Sequence, residues 1–141
     1  MILPDVNVLV YAHRADMEDH SRYRKWLEGV RASDEPFGLS DLVLAGFVRV
    51  VTHRRIFKKP TPQGIALSFA SDLRNSQNCV NVSPGPRHFD IFVRLCGESG
   101  AQGNLVQDAF LAALAIESGC EWVTTDRDFS RFPGLKWRKP L

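Results

Sequence analysis

Four aspartates stand where they could jointly do chemistry. Asp5 closes the short apolar run Met1-Ile2-Leu3-Pro4, and Asp126 follows the segment Glu121 to Thr125, with Asp128 just beyond it. Asp108 stands beside the otherwise apolar stretch Ala109 to Ile116. Carboxylates repel one another, so keeping them close calls for a cation, and oxygen donors without Cys or His suit Mg²⁺, with Mn²⁺ as a substitute. Asn7 and Thr125 are placed to hydrogen-bond a ligating carboxylate or a bound water, which orients and sharpens such a site. Each acid also has a local reading. Asp5 can cap the turn that follows it, and Asp126 and Asp128 can form turns. Asp108, in the first turn of a helix, can favour its positive end by ~0.3–1 kcal/mol. The local readings predict no common location for the acids; the metal reading requires one.

The elements that position them follow from periodicity. Met1–Asp5 reads as a parallel strand buried on both faces, with Pro4 tolerable only where pairing is ending. Val6 to Ala12 forms a short apolar helical turn. Tyr23, Trp26, Leu27 and Val30 recur at helical spacing within Asp19 to Arg31, an amphipathic helix. Pro36 to Leu39 suggests a second strand, and Ser40 N-caps an apolar helix from Asp41 to Val51. A helix carrying Leu67, Phe69 and Leu73 follows Pro60 and Pro62. Cys79 to Val82 is a third strand, and Phe89 to Leu95 belongs to another helix. Asn104-Leu105-Val106-Gln107 has the form of a capping box, opening a helix that runs to Glu117 and stops at Gly119. Glu121–Thr125 is a fourth strand and Leu135–Arg138 a fifth. Strands and helices alternate without repeat or linker, which predicts a single α/β domain over residues 1–141, with a largely parallel sheet and helices on both faces. Ligands of such sheets bind beyond the carboxyl ends of the strands, where Asp5 and Asp126 fall.

The formal net charge of +2 is too small to mark a general polyanion binder. Basic character is local, in Arg49, His53, Arg54, Arg55, Lys58 and Lys59, which either hold phosphates of a ligand (Arg49, Arg54 and Arg55 foremost) or decorate the negative end of a helix. Tyr23, Trp26 and Phe47 lie on apolar faces and read as core or dimer contacts. Cys79, Cys96 and Cys120 form no C-x-x-C pair and read as reduced thiols. The histidines His13, His20, His53 and His88 show no metal-ligand spacing. No secretory leader opens the chain and no apolar run approaches the ~18 residues of a membrane span, so the expected location is cytoplasmic, away from membranes. No Ser–His–Asp order or poised cysteine suggests a covalent route.

Together these segments resemble the PIN-domain ribonucleases, specifically VapC toxins of VapBC (type II) toxin–antitoxin systems. Asp5-Val6-Asn7-Val8-Leu9-Val10 is similar to the family's opening motif, Gln107 to Ala115 to its central acidic helix, and Thr124 to Leu135 to its closing motif. Leu44 to Phe57 resembles the VapC helix after the second strand. The resemblance spans essentially the whole chain in order. It implies a PIN-like three-layer α/β/α fold with a central, largely parallel sheet. The implied activity is a Mg²⁺-dependent endoribonuclease, a homodimer neutralised by a cognate VapB antitoxin. Asp5, Asp108 and Asp126 would bind metal, with Asp128 assisting through water and Asn7 and Thr125 supporting. In one departure, the position where many relatives carry glutamate is Gly46, which leaves metal stoichiometry open. Asp41, on the same helix, points about 140° away from position 46. The rival reading from another class is a weakened PIN fold that binds antitoxin or RNA without turnover. A haloacid-dehalogenase-type phosphohydrolase needs Asp-x-Asp where this chain has Asp5-Val6-Asn7, and a receiver domain needs paired acids after the first strand.

Overall fold

The structure, a computed structural model, describes residues 1–141. The chain runs β1 (Ile2–Pro4), α1 (Val6–His13), α2 (His20–Ala32), β2 (Phe37–Leu39), α3 (Asp41–Val51), α4 (Gln63–Arg74), β3 (Cys79–Asn81), α5 (His88–Ser99), α6 (Asn104–Ser118), β4 (Glu121–Val123) and β5 (Trp137–Arg138), with a 3₁₀ turn at Arg127–Arg131. Every hydrogen-bonded strand pair is parallel, in the orders β1-β4-β5 and β2-β3. β2 lies alongside β1: a methyl group added at Gly38 would stand 3.2 Å from Leu3 Cδ1 and 2.9 Å from Val82 Cγ2. Helices α1 to α4 pack on one another, and α5 packs on α6. The α/β class read from the alternation is the class observed.

Apolar residues of both helix groups and of the strands merge into one core of 27 buried residues, with Trp122, Phe37, Phe47 and Phe129 among its largest wholly buried side chains. The core needs α6 deeply embedded, and its run of small and branched residues provides that: Ala109 and Leu111 to Ala115 are all buried. α3 begins at Ser40, whose Oγ accepts from the Leu42 N–H at 3.2 Å. Pro4 is the last residue of β1, opposite Val123, and since the Asp5 N–H after it donates to the Val123 carbonyl, the missing Pro4 N–H costs no bond to β4.

Three expectations need correction. β1, β4 and β5 are shorter than read, β4 ending at Val123 rather than Thr125 and β5 holding only Trp137 and Arg138. The capping box at Asn104–Gln107 does not form: Gly103, at φ 59°, is the N-cap and no side chain caps the helix. Asp108 is therefore the fifth residue of α6, beyond the first turn in which a helix end favours a negative charge. The local explanation for that acid loses its basis.

Candidate functional site

The site grows from the register of two neighbouring parallel strands. Pro4 stands opposite Val123, so the residues leaving the sheet side by side are Asp5 and Thr124. The Asp5 N–H still donates to the Val123 carbonyl at 2.9 Å. Its carboxylate then turns to the start of α1 and accepts from the Val6 N–H at 2.7 Å, from Thr124 Oγ1 at 2.7 Å and from Asn7 Nδ2 at 3.2 Å. Asp5 thus does cap α1, a role compatible with one at a site.

Thr124 is wholly buried and is the hub of this network. While donating to Asp5, its Oγ1 accepts from the Asp126 N–H at 3.0 Å and lies 3.2 Å from Asn7 Nδ2. The amide of Asn7 spans both segments, because its Oδ1 accepts the Thr125 N–H at 3.2 Å. Sequence reasoning chose Thr125 as the supporting hydroxyl and missed Thr124. Placing the end of β4 at Thr125 was the cause; with the strand ending at Val123, Thr124 is the residue that faces Asp5. What Thr125 contributes to the network is its backbone N–H.

Asp5, Asn7, Asp108 and Asp126 border one cavity of about 660 Å³, which Tyr11, Ile56 and Phe57 also line. Two of the acids resist ionisation there. Burial pushes Asp5 up to about 6, against the opposing pull of its hydrogen bonds from Thr124, Val6 and Asn7, and the Asp126 charge adds to the rise. Asp108 is also pushed up to about 6, first by burial and then by the charges of Asp126, Asp5 and Asp128. Asp126 has a turn-forming role as well, since its Oδ1 accepts from the Asp128 N–H at 2.9 Å. Asp128 is not brought in: it is exposed, outside the cavity lining, 3.9 Å from Arg131. No three acidic side chains stand close enough to make a preassembled cation cage. The donor set nonetheless fits a hard divalent cation, because Asp5 is buried, Asp108 and Asp126 are half-buried, and the repulsion among their carboxylates is what such an ion relieves.

Of the basic residues, Arg49 lines the cavity, whereas Arg54 and Arg55 are exposed on the turn beyond α3 and do not. Gly46 also lines it, and a Cβ there would meet Val6 Cγ2 at 2.9 Å. The wall carrying Ile56 and Phe57 is pinned by Arg14, which sequence reasoning passed over. The buried Arg14 guanidinium pairs with Asp16, donates to the Lys59 carbonyl at 2.7 Å and lies 4.0 Å over the Phe57 ring. No spacing rule marks an arginine whose Lys59 partner lies 45 residues away.

The chain is similar to known proteins along nearly its whole length. The PIN domain family model matches residues 2–135. The chain is 48% identical over 141 residues to VapC ribonuclease Mb2897 of Mycobacterium bovis, covering 100% of this chain and 96% of that one. It is 42% identical over 140 residues to ribonuclease VapC25 of Mycobacterium tuberculosis, with 99% of each covered. Among solved structures, VapBC2 from Rickettsia felis bound to a DNA fragment from its promoter superposes with a TM-score of 0.69 at 21% identity, over 99% of this chain and 98% of that one. With the family model matched almost end to end and the likeness to VapC proteins running the full length, this chain belongs to the PIN-domain family and, within it, to the VapC ribonucleases.

Proposed function

We propose that the chain is a Mg²⁺-dependent endoribonuclease, with Mn²⁺ as a possible substitute, and the toxin of a VapBC pair. The observation that carries the metal reading is that Asp5 and Asp108, 103 positions apart in the chain, border one cavity and are both pushed up to about 6. Asp5, Asp108 and Asp126 would hold the cation, which when bound supplies Lewis acidity toward a phosphate oxygen and a more acidic water.

The remaining work falls to the chain. Thr124 and Asn7 hold the Asp5 carboxylate in one orientation, so binding spends no further entropy on it. Arg49, on the cavity lining, pairs with a phosphate of the bound RNA. The apolar wall of Tyr11, Ile56 and Phe57 limits water around the scissile group, which strengthens every charge interaction there. In the hydrolysis a water oxygen bonds to phosphorus as the bond to the departing ribose oxygen breaks, and that oxygen takes up a proton. Positioning and charge stabilisation provide most of the acceleration.

A cognate VapB antitoxin and a second copy of the chain complete the proposal. The VapBC structures that the chain resembles support the first, and exposed Phe89 and Val93 on α5 offer apolar surface for association. The test is incubation of antitoxin-free protein with total RNA, with and without Mg²⁺ or Mn²⁺, beside Asp108→Ala. Discrete cuts that need both metal and Asp108 are expected. Absence of cutting by well-folded protein in every condition would put the non-catalytic binding module in its place.

A further inference from the structure

A second cavity lies apart from the acidic one. It measures about 770 Å³, shares no lining residue with the acidic cavity, and opens beside the amino ends of β1 and β2, where Ile2 and Phe37 enter the sheet. Its outer wall is one face of α2: Arg22, Lys25, Trp26 and Gly29 recur at helical spacing and all border it. Trp26 packs on the core with part of its surface and borders the cavity with the rest. A Cβ at Gly29 would meet nothing within 4 Å, so the space is open beside that glycine.

The charges are uneven. Arg22, Lys25 and Arg138 border the cavity, against one acidic side chain, Glu35. Arg22 has a 3.7 Å contact with Asp19, and Arg138 is paired with Glu121, whereas Lys25 has no ion-pair partner. A purely apolar ligand would strip water from these cations without compensation. A small inorganic anion would leave the Trp26 wall unused. A planar aromatic group carrying a phosphate satisfies both, and the volume lies within the ~300–1,000 Å³ usual for small-ligand sites.

We propose that this cavity binds a nucleotide unit, its base against Trp26 and its phosphate at Arg22 and Lys25. An aromatic face beside cations is the arrangement that holds single nucleotides without reading their sequence. The unit can come from a free mononucleotide or from a strand of RNA. The site lies apart from the acids, and its occupancy does not depend on their activity.

Calorimetric titration with AMP, and with an eight-nucleotide oligoadenylate, tests this in EDTA, which keeps the RNA intact whatever the acidic site does. Wild type and Asp108→Ala should bind AMP alike. Trp26→Ala should weaken binding about tenfold or more, and Arg22→Glu with Lys25→Glu should do the same. Gly29→Leu should abolish it by filling the open space. Gly29, Arg22 and Lys25 are exposed on α2, so those variants keep the fold even if Trp26→Ala loses it, and matching melting curves verify that. Oligonucleotide affinity equal to that of AMP identifies a free nucleotide as the ligand. Affinity more than about tenfold higher, lost in Gly29→Leu and falling with salt, identifies RNA. AMP binding unchanged in Gly29→Leu overturns the proposal, as does the absence of AMP binding by wild type.

Discussion

Replacing Asp5 by asparagine should make the cation-free protein more stable at neutral pH, although it removes a residue assigned to the site. Asp5 is 6% exposed, and its carboxyl is pushed from 3.8 up to about 6, chiefly by burial. At about 1.36 kcal/mol per pKa unit, that difference puts the cost of an ionised Asp5 at about 3 kcal/mol at most. The folded protein holds this proton more tightly than the unfolded chain does. The Asp5 contribution is therefore least unfavourable below the ordinary value of 3.8, worsens as pH rises toward about 6, and is level above it. An amide carries no such charge and can still accept the Val6 N–H. It must re-sort its contacts with Thr124 Oγ1 and Asn7 Nδ2, at ~1 kcal/mol each. The net expectation is a gain of about 1 kcal/mol, or a Tm higher by about 3–4 °C. Thermal unfolding of both proteins in EDTA at pH 7.5 and 5.0 measures this. Because all other titrating groups are shared, the difference between the two proteins reports Asp5 together with the effect of its charge on Asp108. That difference should favour Asp5→Asn at pH 7.5 and shrink at pH 5.0, where wild-type Asp5 is largely protonated. Adding Mn²⁺ should then raise the Tm of wild type and leave the variant nearly unmoved. A difference that does not change between the two pH values would refute the claim that desolvated charge, relieved by a cation, is what the site stores.

Thr124→Val keeps the shape of the hub but removes the hydroxyl donated to Asp5 and offered to the Asp126 N–H. Mn²⁺ affinity in a direct titration should fall about 10–100-fold, with cutting partly restored at high metal. Arg49→Ala should flatten the salt dependence of RNA binding by about 0.7 in log–log slope, more than Arg54→Ala with Arg55→Ala, since only Arg49 lines the cavity; unchanged slopes would leave these arginines to the helix end. Arg14→Met should cost about 2 kcal/mol, by unpairing the Lys59 carbonyl and losing the contact over Phe57. It should also raise KM more than it lowers kcat, because the loosened wall carries Ile56 and Phe57; an unchanged KM would assign Arg14 to stability alone.

The legible part of this protein was the part written in periodicity. Ser40 and the apolar run after it specify α3, and Asp41–Val51 is the range observed. Asp5, Asp108 and Asp126 could be singled out because strand ends and one helix carry them to a common side of an α/β sheet. Finer detail depended on where elements stop, and there local signals compete with tertiary contacts. Asn104-x-x-Gln107 has the residues of a capping box, yet the chain turns at Gly103 in a left-handed conformation and no side chain caps the helix. Two extra residues assigned to β4 moved the supporting hydroxyl from Thr124 to Thr125. The Arg14 anchor and the α2 cavity were illegible for another reason: each is built from segments that meet only once the chain has folded.

The same distinction explains how the site is stabilised. Asp5 and Thr124 are 119 positions apart, and only the parallel register of β1 and β4 joins them. Each hydrogen bond that joins them is a bond to a carboxylate or to a group bound to one, so site and strand pairing reinforce each other. Asp108 arrives by a different route, on α6, whose buried alanines and leucines fix its position through packing alone. The two acids that resist ionisation most are thus set by independent parts of the fold, one by hydrogen bonds and one by core volume. Neither part can relax to separate the charges without giving up its own stabilisation. That is why both carboxyls stay pushed up in the folded chain, first by burial and then by the neighbouring charges.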